Sequence, residues 1–294
     1  MFEAGACEPG PSAAGSSAAE PSSAPPAAAG EGEGACPPLL GVGVAMSGIV
    51  DQQRGLLKRS RLLGAEEDAA LEERFARLFG VPVMLENDAN AAIGGELFAS
   101  RYRELGDALF MLIESELFRD APAERPRLSL GLGLALDSRV HQGVDHTSGE
   151  FRSVYWQEGS DTQFSIPSSR LLDLSTNRDT RSRLFLEMGR NIALLINSLN
   201  IHTVIVGGDI QGFQDELAEC LHRAVAENWS YSGTPAFQIR EARQGEYASA
   251  YGAACLHANR LYAVDSFDEF TLRGLKTGLD AFEHAGAKTT TSMQ

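Results

Sequence analysis

The sequence predicts an α/β protein. Strand-like and helix-like segments alternate through its C-terminal half: HTVIVGG (His202–Gly208), GFQDELAECLHRAVAEN (Gly212–Asn228), AFQIREA (Ala236–Ala242) and EYASAYGAACLHANRLYA (Glu246–Ala263). That alternation is what helices covering a sheet require. Earlier, VPVMLENDANAA (Val81–Ala92) passes from a short apolar run straight into small, helix-forming residues. At 294 residues the chain is also long enough for two lobes.

The elements follow in order. Residues 1–38 are Ala, Gly, Pro, Ser and Glu with little to bury, and read as a disordered low-complexity segment with no DNA-reading head. Leu39–Met46 is a β-type run, followed by the turn SGIVD and a strand or loop to about Leu63. Ala65–Gly80 has acidic residues in its first turn, apolar Leu71, Phe75 and Leu78, and a closing glycine, which predicts a helix. Val81–Leu85 predicts a buried strand with Pro82 near its start, and the helix beginning at Asp88 runs to about Arg103. Asn87 or Asp88 therefore stands at a strand-to-helix junction, where an N-cap alone explains a polar residue.

Asp107–Glu114 predicts a strand, and Leu128–Asp137 its hairpin partner, with close backbone approach at Gly131 and Gly133. Ser153 to about Asn177 is weakly patterned and polar. Arg181–Asn200 sets Leu184, Met188, Leu195 and Leu199 at helical spacing, a core stripe. After the alternating half, Phe267–Ala285 reads as an amphipathic helix before a frayed tail. The expected divisions are 1–38, 39–106 (first lobe), 107–263 (second lobe) and 264–294 (helical extension and tail).

A formal charge of −15 argues against nucleic-acid binding, because a phosphate backbone would repel this chain. Cys7, Cys36, Cys220 and Cys255 are widely spaced and form no CxxC pair, which suits a reducing cytoplasm better than a disulfide or zinc module. No apolar run approaches the roughly 20 residues of a membrane span, and the N-terminus does not read as a signal peptide.

Four segments in order carry a resemblance: GVGVAMSGIVDQQRG, VPVMLENDANAA, LGLGLALDSRVHQGVDHTSGEF, and LINSLNIHTVIVGGDI with a later YGAACL. Together, over about Leu39–Ala263, they resemble the ROK family of sugar kinases and sugar-responsive repressors. The resemblance implies a two-lobed actin-like ATPase (ribonuclease H-like) fold, here with an incomplete N-terminal lobe. It implies that Asp88 occupies the position that takes a proton from a sugar hydroxyl in the kinases, and that Asn87 hydrogen-bonds the sugar. A carboxylate within about 2.6–3.2 Å of a hydroxyl can do that work. Gly48, in the turn Ser47-Gly48, stands where the family commonly has Pro-Gly and permits close ligand approach. Glu150 keeps a sugar-binding position, and Ser153 replaces a sugar-binding His.

The departures shape the functional expectation. No cysteine lies between Glu150 and Glu219, so the family's zinc loop is absent, and His141 and His146 are ordinary surface or turn histidines rather than metal ligands. No Asp-x-Gly-Gly-Thr phosphate loop occurs. The second phosphate loop is replaced by Glu114–Arg127, where Glu114, Glu116 and Asp120 bring negative charge and Arg119, Arg125 and Arg127 offset part of it. Gly207, Gly208 and Gly252 match adenosine-side segments, though tight strand-to-helix packing explains them equally. The expectation is a sugar-sensing domain of the repressor type, cytoplasmic and homo-oligomeric, with no cofactor and no metal. The alternatives are a MgATP-dependent hexose or N-acetylhexosamine kinase with Asp88 as general base, and a non-catalytic dimerising scaffold.

Overall fold

A computed structural model describes residues 38–101, 105–115, 128–209 and 212–262. The expected low-complexity segment, most of the charged 114–127 insertion and the C-terminal amphipathic helix lie outside the described residues.

The second lobe is built on one apolar strand. Strand β6 (Ala108–Ser115) is covered on both faces, which is why it reads as a continuous apolar run rather than an alternating one. Leu109, Met111 and Ile113 point into one core with Leu184, Met188 and Ile192. Ala108, Phe110 and Leu112 point into another with Ile93, Leu97 and Ile205. The sheet order is β10-β9-β6-β7-β8, from β7 (Leu128–Leu136), β8 (Arg139–Val140), β9 (Thr203–Gly208) and β10 (Gln238–Glu241). β6 and β7 form the expected antiparallel hairpin pair, while β6, β9 and β10 run parallel. Helices α4 (Arg178–Leu199) and α5 (Gln214–Glu227) supply the first core's outer layer.

In the first lobe, β1 (Val42–Met46) pairs in parallel with β5 (Val83–Asn87), and these two form its main sheet among the described residues. A small antiparallel sheet of β2 (Ile49–Asp51), β3 (Leu56–Arg59) and β4 (Ala69–Ala70) adjoins it, and Val50, Leu57, Val83 and Leu85 form their shared core. Helix α1 (Leu71–Phe79) closes in a left-handed Gly80, whose N–H returns to the carbonyl of Ala76. Helix α2 (Asp88–Ala99) is buried continuously from Ala89 to Leu97, between the second lobe's sheet and helix α6 (Ala248–Tyr262). Only small side chains allow that: a Cβ on Gly133 would sit 2.2 Å from the carbonyl oxygen of Ala89.

Several expectations are corrected by tertiary pairing. The first helix begins at Leu71 rather than Ala65, because Ala69 and Ala70 pair with Leu57 and Leu56 and Ser60 bridges Ala65. Its Leu78 is 73% exposed and outside the core. The first strand starts at Val42, leaving Leu39 and Leu40 exposed, and β5 extends to Asn87. In α4 the buried stripe continues from Leu184 and Met188 to Ile192 and Ile196, not to Leu195 and Leu199, because that phase meets α5. Residues 153–177 form turns around a short helix α3 (Ser168–Leu171), pinned by buried Phe164, Leu171 and Leu174.

Candidate functional site

Both lobes contribute to a cavity of about 690 Å³. From the first lobe come the Ser47-Gly48 turn, the Arg59–Leu62 turn, and Asn87 and Asp88 at the β5–α2 junction. The second lobe adds Glu114, Gly131 and the Gly149-Glu150 turn.

Asn87 is the N-cap of α2: its Oδ1 accepts a hydrogen bond from the N–H of Asn90 at 3.0 Å. Its Nδ2 donates to the carbonyl of Gly48 at 2.9 Å, tying the β1–β2 turn to the helix start. The capping explanation and the cavity position therefore coexist, and the Asn87 amide retains one N–H and one lone pair for a ligand. Gly48 needs to be glycine, since φ is +121° and a Cβ would lie 2.2 Å from the carbonyl oxygen of Arg59. Replacing Asn87 by Ala is expected to cost about 1–2 kcal/mol through the lost cap, read as a lower urea midpoint. Asn87→Asp, which keeps the acceptor but not the donor, should recover most of that loss.

Asp88 Oδ1 accepts from the N–H of Ala89 at 2.8 Å. Burial pushes its pKa up to about 7, with the negative charge of Glu114 adding to the effect and Glu150 adding less. Burial also raises the Glu150 carboxyl, although this residue stands at an exposed rim. A carboxyl poised near neutrality can accept a hydrogen bond from a hydroxyl when ionised and donate one when protonated. The absence of a side chain at Gly131 leaves room in front of it, since a Cβ there would be 3.8 Å from Asp88 Oδ1. Among the described residues, Arg59 and Arg61 are the basic residues of the lining, and Arg59 is 3.7 Å from Asp68.

Ser153 is placed differently from expectation, and does not line the cavity. It is 4% exposed, its Oγ accepts from Asn191 Nδ2 and the N–H of Tyr155 at 3.1 Å each, and its N–H donates to the carbonyl of Gln163. Gln163 in turn donates to the carbonyls of Leu130 and Phe151. Ser153 thus braces the loop that carries Glu150 from behind.

The three adenosine-side glycines also stand apart from the cavity. A Cβ on Gly207 would lie 2.6 Å from Phe110 Cζ, and one on Gly208 (φ +88°) 2.1 Å from the carbonyl oxygen of Ile113. On Gly252 it would lie 1.7 Å from the carbonyl oxygen of Ala91. Each is filled by protein at the Cβ position. Among the described residues no group of three His, Cys, Asp or Glu side chains could hold a metal ion. His141 is exposed, and His146 Nε2 lies 3.4 Å from Asp51 Oδ1. Cys220 and Cys255 are free and buried, and no described helix is long and apolar enough to cross a membrane.

Sequence reasoning missed Glu86, directly below the junction. It is 1% exposed, its pKa is raised to about 7 by burial, and it accepts hydrogen bonds from the N–H of Asn87 at 2.9 Å and from Gln142 Nε2 at 2.7 Å. A carboxylate inside an otherwise apolar strand was the available signal.

Comparison with known proteins gives a consistent picture. The model of the ROK family matches residues 32–115. A putative xylose repressor from Caldicellulosiruptor sp. strain Rt8B.4 is 25% identical over 120 residues, 40% of this chain and 27% of its own length. The xylose repressor of Caldicellulosiruptor bescii is 22% identical over 112 residues, 38% of this chain and 25% of its own. The matched stretch thus spans about a quarter of each repressor. Among solved structures, a ROK family glucokinase from Streptomyces griseus shares the fold with a TM-score of 0.58 at 17% identity, over 74% of this chain and 81% of its own. A ROK family transcriptional regulator, a homologue of the E. coli MLC protein, gives the same TM-score and identity over 74% of this chain and 62% of its own. The architecture is the actin-like ATPase fold that these structures share, and the ROK family's model matches the β1–β6 segment that carries Gly48, Asn87 and Asp88.

Proposed function

We propose that this chain is a sugar-sensing domain of the transcriptional-regulator type, without kinase activity, in which a sugar enters the cavity between the lobes. The observation that carries the reading is the meeting of Asn87 and Asp88 from one lobe with Glu150 from the other around a single cavity of about 690 Å³. Sugar hydroxyls are hydrogen-bond donors and acceptors, and carboxylates and an amide are the side chains that read their geometry. A volume in the range of small-ligand pockets, about 300–1,000 Å³, suits such a ligand. Two relatives are a xylose repressor and a putative xylose repressor, which supports the regulator reading over the others.

Charge argues against a triphosphate as the second ligand. Asp88, Glu114 and Glu150 share the cavity, and like charges about 4 Å apart repel by about 4 kcal/mol at an effective dielectric of 20. Phosphoryl transfer depends on neutralising charge and positioning phosphates, and the glycines that would approach a nucleotide are packed against protein. One observation favours the kinase as second reading: the Asp88 carboxyl, raised to about 7, has the pKa of a general base for a hydroxyl. In the sensor reading, sugar bound to both lobes favours their closed arrangement, and a homo-oligomer of this chain conveys the difference without itself touching nucleic acid.

Thermal unfolding against pentoses with xylose first, then hexoses and N-acetylhexosamines, each with and without MgATP, tests the proposal. A sugar at 100 times its Kd should stabilise the chain by about 2.7 kcal/mol, with no added effect of MgATP. Stabilisation by MgATP, increased by a sugar, would establish the kinase reading instead. Cooperative melting unmoved by every sugar would leave the scaffold.

A further inference from the structure

The ten residues from His141 to Glu150 cross from one lobe to the other and back. At the near end the N–H of His141 donates to the carbonyl of Leu134 at 2.8 Å. At the far end Gly149, with φ +90°, lies so close to Leu132 that a Cβ would be 1.9 Å from its carbonyl oxygen. Both ends are therefore fixed to β7 of the second lobe. Between them the chain closes on itself, with the N–H of Ser148 donating to the carbonyl of Gln142 at 3.1 Å.

The middle of this segment touches the first lobe at two points. Gln142 Nε2 donates to Glu86 Oε2 at 2.7 Å and to Gln52 Oε1 at 3.1 Å. His146 faces Asp51, and both side chains are about nine-tenths buried. Glu86 passes the contact on: its other oxygen, Oε1, accepts from the backbone N–H of Asn87. The path therefore runs from the second lobe, through one side-chain amide and one buried carboxyl, to the backbone that holds Asn87 and Asp88. The same segment ends on Glu150, the second lobe's own contribution to the cavity.

We propose that Gln142 is a positioning residue for ligand binding: by bridging Glu86 and Gln52 it fixes the β5–α2 junction against the segment that delivers Glu150, and so helps to hold the two halves of the cavity in register. This rests on the reading of the cavity as a sugar site, and it adds a residue that lines no part of that cavity. The physical reason is the acceptor. Glu86 has almost no access to water, so the donors it finds within the protein decide where it sits. Removing the Gln142 donor leaves the Asn87 N–H and the Asn90 side chain to hold that carboxyl.

The test is Gln142→Met, which keeps side-chain length and volume but has no N–H donor. In the ligand-free protein, hydrogen exchange at the amides of Asn87 to Asn90 is expected to quicken by roughly tenfold, the loss expected for one hydrogen bond to a carboxylate. The affinity for whichever sugar the wild type binds should fall by about the same factor, with the melting midpoint lowered by no more than one hydrogen bond accounts for. Val144→Ala, on the same segment at a residue 97% exposed, should change neither. If Gln142→Met fails to melt cooperatively, Gln142→Asn, which retains the amide one methylene short, takes its place. Unchanged exchange at 87–90 together with unchanged sugar affinity would overturn the assignment and leave the sugar reading intact. If no sugar binds the wild type, the sugar reading falls, and the exchange measurement still decides the bridge: quickened exchange supports it and unchanged exchange overturns it.

Discussion

Gly252→Ala is expected to destabilise the protein by about 3 kcal/mol, near the upper end for adding one methyl to a packed site. The added Cβ would lie 1.7 Å from the carbonyl oxygen of Ala91, and a backbone atom inside a buried helix cannot turn aside as a side-chain tip can. The same contact is tight from the other side, where a Cβ on Gly95 would lie 2.9 Å from the Cα of Gly252. The next residue offers no slack either, since a Cβ on Gly43 of β1 would lie 2.2 Å from the carbonyl oxygen of Ala253. Helix α6 is thus wedged between α2 and β1 on glycines and alanines, and separating it disturbs the helix that begins at Asp88. For a chain of ordinary stability, 5–15 kcal/mol, a fall of that size is readily seen as a lower urea midpoint at an unchanged slope. A variant that melted like the wild type would refute the packing role and return Gly252 to consideration as a nucleotide-side residue.

What the sequence revealed and what it hid divide along one physical line. The Asn87-Asp88 junction was legible because local rules suffice: an apolar run, a capping residue and small helix formers follow one another within a dozen residues. The β6–β7 hairpin was legible because an apolar strand covered on both faces has no competing pattern, and Gly131 and Gly133 marked where α2 approaches. The boundary before α1 was not. Ala69 and Ala70 favour a helix by propensity, but pairing with Leu56 and Leu57 takes them into a sheet. In α4, Leu195 with Leu199 and Ile192 with Ile196 are equally periodic, and only the position of α5 selects the second pair. Ser153 followed the same logic. Its place in a motif predicted a ligand contact, but Asn191, 38 residues away in sequence, takes its hydroxyl. Glu86 and Gln142 were invisible as a pair because their contact spans 56 residues.

Asp88→Asn is expected to raise stability at pH 8 while abolishing sugar binding. The folded protein holds this carboxyl at about 7, against 3.8 for the ordinary value. Between those two pH values the folded chain binds a proton that the unfolded chain does not. Stability from this group is therefore complete below about pH 4 and is lost as the pH rises through 7, because the unfolded state ionises more easily. The loss is on the order of 2–4 kcal/mol by pH 8, from a shift of about three units at 1.36 kcal/mol each with allowance for partial exposure. Asparagine has no charge to bury, and its Oδ1 can still accept from the N–H of Ala89. The variant should therefore unfold at higher temperature than the wild type at pH 8 and at nearly the same temperature at pH 4. Glu86, raised in the same direction by the same cause, leaves a residual slope of the same sign in the variant. A site that sacrifices stability to keep a buried carboxyl is what selection for binding, rather than for folding, produces. If Asp88→Asn proved less stable than the wild type at pH 8, the carboxylate would have to be held by partners that outweigh its burial, and Asp88 would then be a structural residue rather than a ligand-binding one.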